Sequence, residues 1–229
     1  DCQNYKTSCG FCPLLKEADN DDISHRIWEK KNDAYQTLKP NFVSPSNWLA
    51  NAAKSSGLLK NRLIKTIPNT LETSIFKPID KKIARKKLNL KEENFILLTG
   101  FMPSKNDAHK GTSYLIDAVD LWIAENPTLK DNVTLVVFGN RESQSPPLFE
   151  IPVMFLGTIK NDELLANAYA AADVFLTTSL DDNLPNTVME SLACGTPVIS
   201  FITGGIPDMV EHKKNGYLAK YKDAKDFMA

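Results

Sequence analysis

The chain has 229 residues, 42% hydrophobic and 24% charged, the balance of a soluble globular protein of one large or two modest domains. Its 27 basic and 28 acidic side chains are interspersed and leave a formal net charge of −1. That excludes a whole-protein field for collecting nucleic acid or anionic lipid, so any anion site must be local. No apolar run reaches the ~20 residues of a membrane-spanning helix, and the amino end DCQNYKTSCG has neither an initiating Met nor a signal core. Four cysteines do not make a secreted disulfide framework, so a cytoplasmic location is expected. Both ends read as cut from a longer chain.

In chain order, residues 1–35 are polar, with one helical pattern from about Ser24 to Leu38. Asn41 to Ser44 reads as a short strand, and Ser46 then caps an amphipathic helix through Trp48, Leu49, Ala52 and Ala53 that Gly57 ends. Ile64 to Ile67 is a second short strand stopped by Pro68-Asn69. The Pro-bounded stretch LETSIFKPIDKK then reads as a connection, which places a domain boundary near residue 78 and divides the chain into 1–78 and 79–229.

Beyond it the pattern becomes regular. Phe95–Leu98, Val133–Phe138, Val153–Leu156, Val174–Thr178 and Pro197–Phe201 read as apolar strands, with helices expected over Lys82–Leu88, Thr112–Glu125, Asp162–Ala171 and Asn186–Ala193. Strands apolar on both faces that alternate with helices predict an α/β domain with a doubly wound parallel sheet, Rossmann-like, covered on both sides. Such sheets bind ligands beyond the carboxyl ends of their strands.

The chemistry concentrates in DDNLPNTVMESLACGTPV, residues 181–198. Asp182 and Glu190 flank Pro185-Asn186, where the loop after the strand VFLTT turns into a helix with Asn186 as its expected cap. The free amides and positive dipole end of that helix form a site for phosphate. Two carboxylates beside a phosphate repel it, so they suit hydroxyl groups on sugars at either end, as a nucleoside diphosphate sugar offers. For an arbitrary acid pair, a surface salt bridge is the plainer reading. No GxGxxG or GxxxxGK[ST] segment suggests a dinucleotide or P-loop site.

Residues 171–219, AADVFLTTSLDDNLPNTVMESLACGTPVISFITGGIPDMVEHKKNGYLA, resemble the carboxyl-domain signature of the family-four retaining glycosyltransferases, which have the GT-B fold. Its pattern runs strand, Ser, acid-x7-acid, small-Cys-Gly, Pro-Val, Gly-Gly, Gly. The resemblance implies Glu190 on the ribose hydroxyls, Asp182 on the donor sugar and Asn183, Leu184, Pro185, Asn186 and Thr187 along the diphosphate. The family has Glu at the first acidic position, where this chain has the shorter Asp182. FILLTGFMPSKNDAHKGTSYLIDAV resembles the family's first strand and helix, which implies Gly100 beside the donor and Lys110 on the diphosphate. There a cation offsets charge developing on the departing nucleotide. Many members carry an Arg after the strand glycine; none occurs here before Lys110, and Lys105 is the candidate substitute. VMFLGTIK fits the segment that faces the base and brings in Thr158.

Cys2, Cys9 and Cys12 form C-x6-C-x2-C, the tight pair of a structural zinc site without a fourth ligand nearby; His25 is the candidate. Some family members resemble this segment and carry further Cys and His upstream, which implies zinc in the intact protein and free thiols or an adventitious disulfide as the plainer state here. The expected function is transfer of a sugar from a nucleoside diphosphate sugar to an acceptor hydroxyl, with retention and no required metal or other cofactor. Lys110, Asp182 and Glu190 carry the catalysis. The resemblance implies a role in polysaccharide or glycoconjugate synthesis and a sugar or lipid-linked acceptor, with peripheral association at the inner membrane face. Nucleic acid is not an expected partner. Residues 1–78 would then be the remnant of an acceptor domain, and this chain alone would turn over little. The alternatives are a non-catalytic nucleotide- or phospho-ligand-binding domain and a nucleotide-sugar epimerase.

Overall fold

A computed structural model describes residues 2–100, 110–139 and 149–228. The chain divides into two compact units, residues 1–68 and 69–229. The division falls after Pro68. Leu71, Ile75, Phe76 and Ile79, from the stretch read as a connection, pack on the core of the second unit.

The first unit contains helix α1 (Ile23–Leu38), strand β1 (Phe42–Ser44), helix α2 (Asn47–Ser55) and strand β2 (Ile64–Thr66). Asp22 caps α1 by accepting from the amides of Ser24 and His25, and Ser46 caps α2 by accepting from Leu49. The two strands pair in parallel, Phe42 opposite Ile64.

The second unit runs α3 (Lys81–Lys87), β3 (Phe95–Thr99), α4 (Thr112–Glu125), β4 (Val133–Phe138), β5 (Val153–Gly157), α5 (Asp162–Ala171), β6 (Val174–Thr177), α6 (Asn186–Ala193), β7 (Val198–Phe201), β8 (Gly216–Ala219) and α7 (Ala224–Phe227). The strands form one sheet in the order β5-β4-β3-β6-β7-β8, with every pairing parallel. Successive side chains leave a strand on opposite faces. Thus Ile96 and Leu98 enter a core with Ala84, Ala168, Tyr169 and Val188 of α3, α5 and α6. Leu97 enters the other, with Leu115, Val119 and Ile123 of α4 and Phe227 of α7. The chain winds outward from β3 to β5, returns to β6 beside β3, then winds the other way, so the order reverses between β3 and β6. In doubly wound sheets that reversal opens a crevice at the strands' carboxyl ends.

A buried ionic knot fixes the opposite ends of the same two strands. Arg85 of α3, 5% exposed, donates from Nη2 to Asp173 Oδ2 at 2.6 Å, from Nε to the Ala171 carbonyl at 3.0 Å, and to the Glu92 carbonyl. Asp173 also accepts from the Ile96 amide at 2.7 Å and pairs with Lys81 at 2.7 Å. Each charge is thereby hydrogen-bonded as burial requires.

Candidate functional site

Three chain segments meet beyond the carboxyl ends of β3, β6 and β7: the turn Lys110-Gly111 that starts α4, the loop 178–185 that leads into α6, and Thr203–Gly205 after β7. Their backbones are locked together. The Thr178 hydroxyl donates to the Lys110 carbonyl at 3.0 Å, and the Thr203 hydroxyl to the Leu180 carbonyl at 2.9 Å. The Gly205 amide donates to the Asp182 carbonyl at 3.1 Å. The approach is so close that a Cβ on Gly204, which has φ +52°, would lie 1.6 Å from the Asp182 carbonyl oxygen. One on Gly111, at φ +63°, would lie 2.2 Å from that of Thr178. Only glycine meets both demands, of space and of a left-handed backbone.

In this frame the Lys110 ammonium lies 3.8 Å from Asp182 Oδ2. Burial raises the pKa of Asp182 and neighbouring Asp181 adds to the rise, while Lys110 and the Asn183 amide oppose it. With the lysine 44% and the aspartate 23% exposed, the pair is of the kind worth ~0–1 kcal/mol. A ligand carrying two phosphates can displace such a partner.

Helix α6 begins at Asn186 with Pro185 as its N-cap residue, and no side chain caps it. The cap expected from Asn186 does not form. Asn186 is the first helical residue, and its Oδ1 accepts from Asn69 Nδ2 at 3.0 Å. Pro185, with φ −65° and ψ 121°, delivers the chain into the helix and its carbonyl accepts from the amides of Val188 and Met189, at 3.1 and 3.4 Å, so that the amides of Asn186 and Thr187 at the very start face a ligand or water. Thr187 and Asn183 are half-buried there, while Leu184 is buried, which limits its part in the site to its backbone.

Glu190 lies one turn into α6. Its Oε2 accepts from the Tyr169 hydroxyl at 2.8 Å. Burial raises its pKa, a shift that the Tyr169 hydrogen bond opposes and Asp162 reinforces. The tyrosine escapes sequence reading because its partner lies on the next helix. The available signal is one phenol in the alanine-rich run ANAYAAA, which must bury a hydroxyl and find it an acceptor.

Gly100 stands at the end of β3, where a Cβ would strike the Phe138 ring at 2.5 Å. Thr158 is exposed just after β5. Lys105 lies outside the described residues. The structure does not support the zinc site expected from Cys2, Cys9 and Cys12. His25, the proposed fourth ligand, directs Nδ1 to the Ser8 carbonyl at 2.8 Å and Nε2 to Glu29 at 3.6 Å. Among the described residues no group of three His, Cys, Asp or Glu side chains is placed to hold a metal. The cysteines are free thiols, and burial together with Cys2 and Cys12 pushes the Cys9 thiol up. A cleft of about 710 Å³ along α4, lined by Asp117, Asp120, Lys130 and Glu150, includes none of the residues at the strand ends.

Residues 93–229 match the family described as glycosyl transferases group 1. The D-inositol 3-phosphate glycosyltransferase of Geodermatophilus obscurus is 28% identical over 174 residues, covering 71% of this chain and 38% of that protein. The N-acetyl-alpha-D-glucosaminyl L-malate synthase of Bacillus anthracis is 26% identical over 170 residues, covering 71% of this chain and 42% of that protein. The chain thus spans about two fifths of the length of these relatives. Among solved structures, sucrose-phosphate synthase from Thermosynechococcus elongatus superposes with a TM-score of 0.66 at 24% identity, over 90% of this chain and 51% of that one. Anabaena HepE in complex with UDP superposes with a TM-score of 0.67 at 22% identity, over 91% and 56%. Both share the fold of the sheet described above. With the family match covering residues 93–229, the chain belongs to the group 1 glycosyltransferases.

Proposed function

We propose that the second unit binds a nucleoside diphosphate sugar and that the whole protein transfers the sugar, with retention of configuration, to an acceptor hydroxyl. The observation that carries this reading is the Lys110–Asp182 pair beside the loop that leads into α6, a helix with no side-chain cap and with Glu190 one turn along it, all following the strands at the order reversal. The cation and the amides suit two phosphates, and the carboxylates suit the hydroxyls on either side of them. Transfer builds negative charge on the departing diphosphate, and Lys110 stands where it stabilises that charge. Asp182 holds Lys110 beforehand. When the diphosphate takes the lysine, the aspartate is released to accept from donor sugar hydroxyls.

Relatives named for transfer to an inositol phosphate and to malate, and a structural neighbour that holds UDP, support this reading. We infer a sugar or lipid-linked acceptor in polysaccharide or glycoconjugate synthesis. Contact with a lipid-linked acceptor at the inner membrane face is proposed as peripheral; among the described residues no helix is long and apolar enough to cross a membrane.

The test is a thermal-shift screen with uridine, guanosine and adenosine diphosphate sugars. A bound donor at a hundredfold excess over its dissociation constant stabilises the fold by ~2.7 kcal/mol. One base class is expected to raise the melting temperature, and no shift with any of the three overturns the proposal. In the whole protein, NMR of the product is expected to show the donor's anomeric configuration preserved; an inverted product sinks the retaining mechanism.

A further inference from the structure

Tyr169 is fully buried. Its ring stands edge-on to Phe138 and Phe175, with centroids 5.7 and 5.5 Å away. Its backbone is fixed as well, because the Thr196 hydroxyl donates to the Tyr169 carbonyl at 2.7 Å. The Ser191 hydroxyl, one residue after Glu190, donates in turn to the Thr196 carbonyl at 3.0 Å. The turn that ends α6 is thus tied back to α5, and the only freedom left to the tyrosine is rotation of its hydroxyl hydrogen. That hydroxyl donates to Glu190 Oε2. Glu190 itself has three side-chain torsions and only partial burial to restrain them.

We propose that Tyr169 is a positioning residue, whose hydroxyl holds the Glu190 carboxylate in the orientation that accepts the hydroxyl groups of the nucleotide's sugar. The inference rests on the reading of Glu190 as a donor ligand. The tyrosine engages one acceptor position of Oε2 and leaves the others to the ligand. A carboxylate held in place before binding loses less freedom on binding. The same hydrogen bond favours the ionised form, the one that accepts most hydroxyls, against burial. The titratable groups facing Glu190 are Tyr169 and Asp162 of α5 and the Cys194 thiol that follows α6. Burial and Glu190 push that thiol up to about 11, so it stays protonated near neutrality.

Tyr169→Phe keeps the ring and its packing and removes the donor. Calorimetric titration with UDP, GDP and ADP from pH 5 to 9 is compared among the unaltered chain, Tyr169→Phe and Glu190→Ala. Tyr169→Phe is expected to weaken binding of the accepted nucleotide about tenfold, the scale of one charge-assisted hydrogen bond. It is also expected to move the acid limb of the affinity profile to higher pH. A purely structural tyrosine would lower the melting temperature and leave that limb in place. If Glu190→Ala weakens binding while Tyr169→Phe leaves the limb in place, the positioning role is overturned alone. If Glu190→Ala binds as the unaltered chain does, or no nucleotide binds at all, the donor reading falls and the positioning role with it.

Discussion

A carboxyl group whose pKa is raised by burial, as that of Glu190 is, weakens the folded state wherever it is ionised. Its folded pKa lies above the ordinary 4.5, so its favourable contribution is complete below that value and is lost as pH rises through the folded pKa. Glu190→Gln removes this titration and keeps an acceptor for the Tyr169 hydroxyl. The variant is expected to melt above the unaltered chain at neutral pH by a margin that closes below about pH 4, while nucleotide affinity falls by tenfold or more. Scanning calorimetry across pH checks the first part, and a variant that melts lower at pH 7 refutes it. Lys110, Asp182 and Glu190 can be named from the sequence only through the resemblance of the short runs that hold them, and of these Lys110 and Asp182 lie side by side. Tyr169 cannot, because its bond to Glu190 spans 21 positions and exists only once α5 and α6 are packed on the sheet. A separation of 117 positions hides the role of Asn186, whose amide oxygen turns to Asn69 and leaves the helix without a side-chain cap.

At the level of elements, the helices and the five apolar strands expected beyond residue 95 formed close to their predicted limits, since burial on both faces imposes a composition that short windows reveal. Strand β8 was missed. Its four residues, Gly216–Ala219, include a glycine, and three of them are only partly buried because the strand closes the sheet's edge beside β7. Nothing in so short a run distinguishes a strand from a turn until its neighbour exists. The Arg85–Asp173 knot, between helix α3 and the entry to β6, is equally invisible in sequence, since its partners lie 88 positions apart. Asp173→Ala strands the guanidinium in the core and removes the acceptor of the Ile96 amide. The expected loss is about 3–5 kcal/mol by denaturant unfolding, with nucleotide affinity of the folded fraction retained. A loss under about 1 kcal/mol would show that the knot is solvated and unimportant.

For the molecule as a whole, each contact that builds the site lies within residues 69–229. Residues 69–229 expressed alone are therefore expected to bind the accepted nucleotide within about threefold of the 229-residue chain, measured by calorimetry. A tenfold or greater loss would place part of the binding surface in residues 1–68. The change in patterning puts a boundary near residue 78 while the compact units divide after Pro68, because the stretch 69–79 looks like a linker by composition and packs like part of a core. The loop carrying Asp182 and the loop carrying Gly204 and Gly205 are sewn together through carbonyl contacts that leave no room for a methyl group. Neither can be exchanged alone, so any chimera built to test the proposed donor role of Asp182 must transplant both loops from one parent as a single cassette.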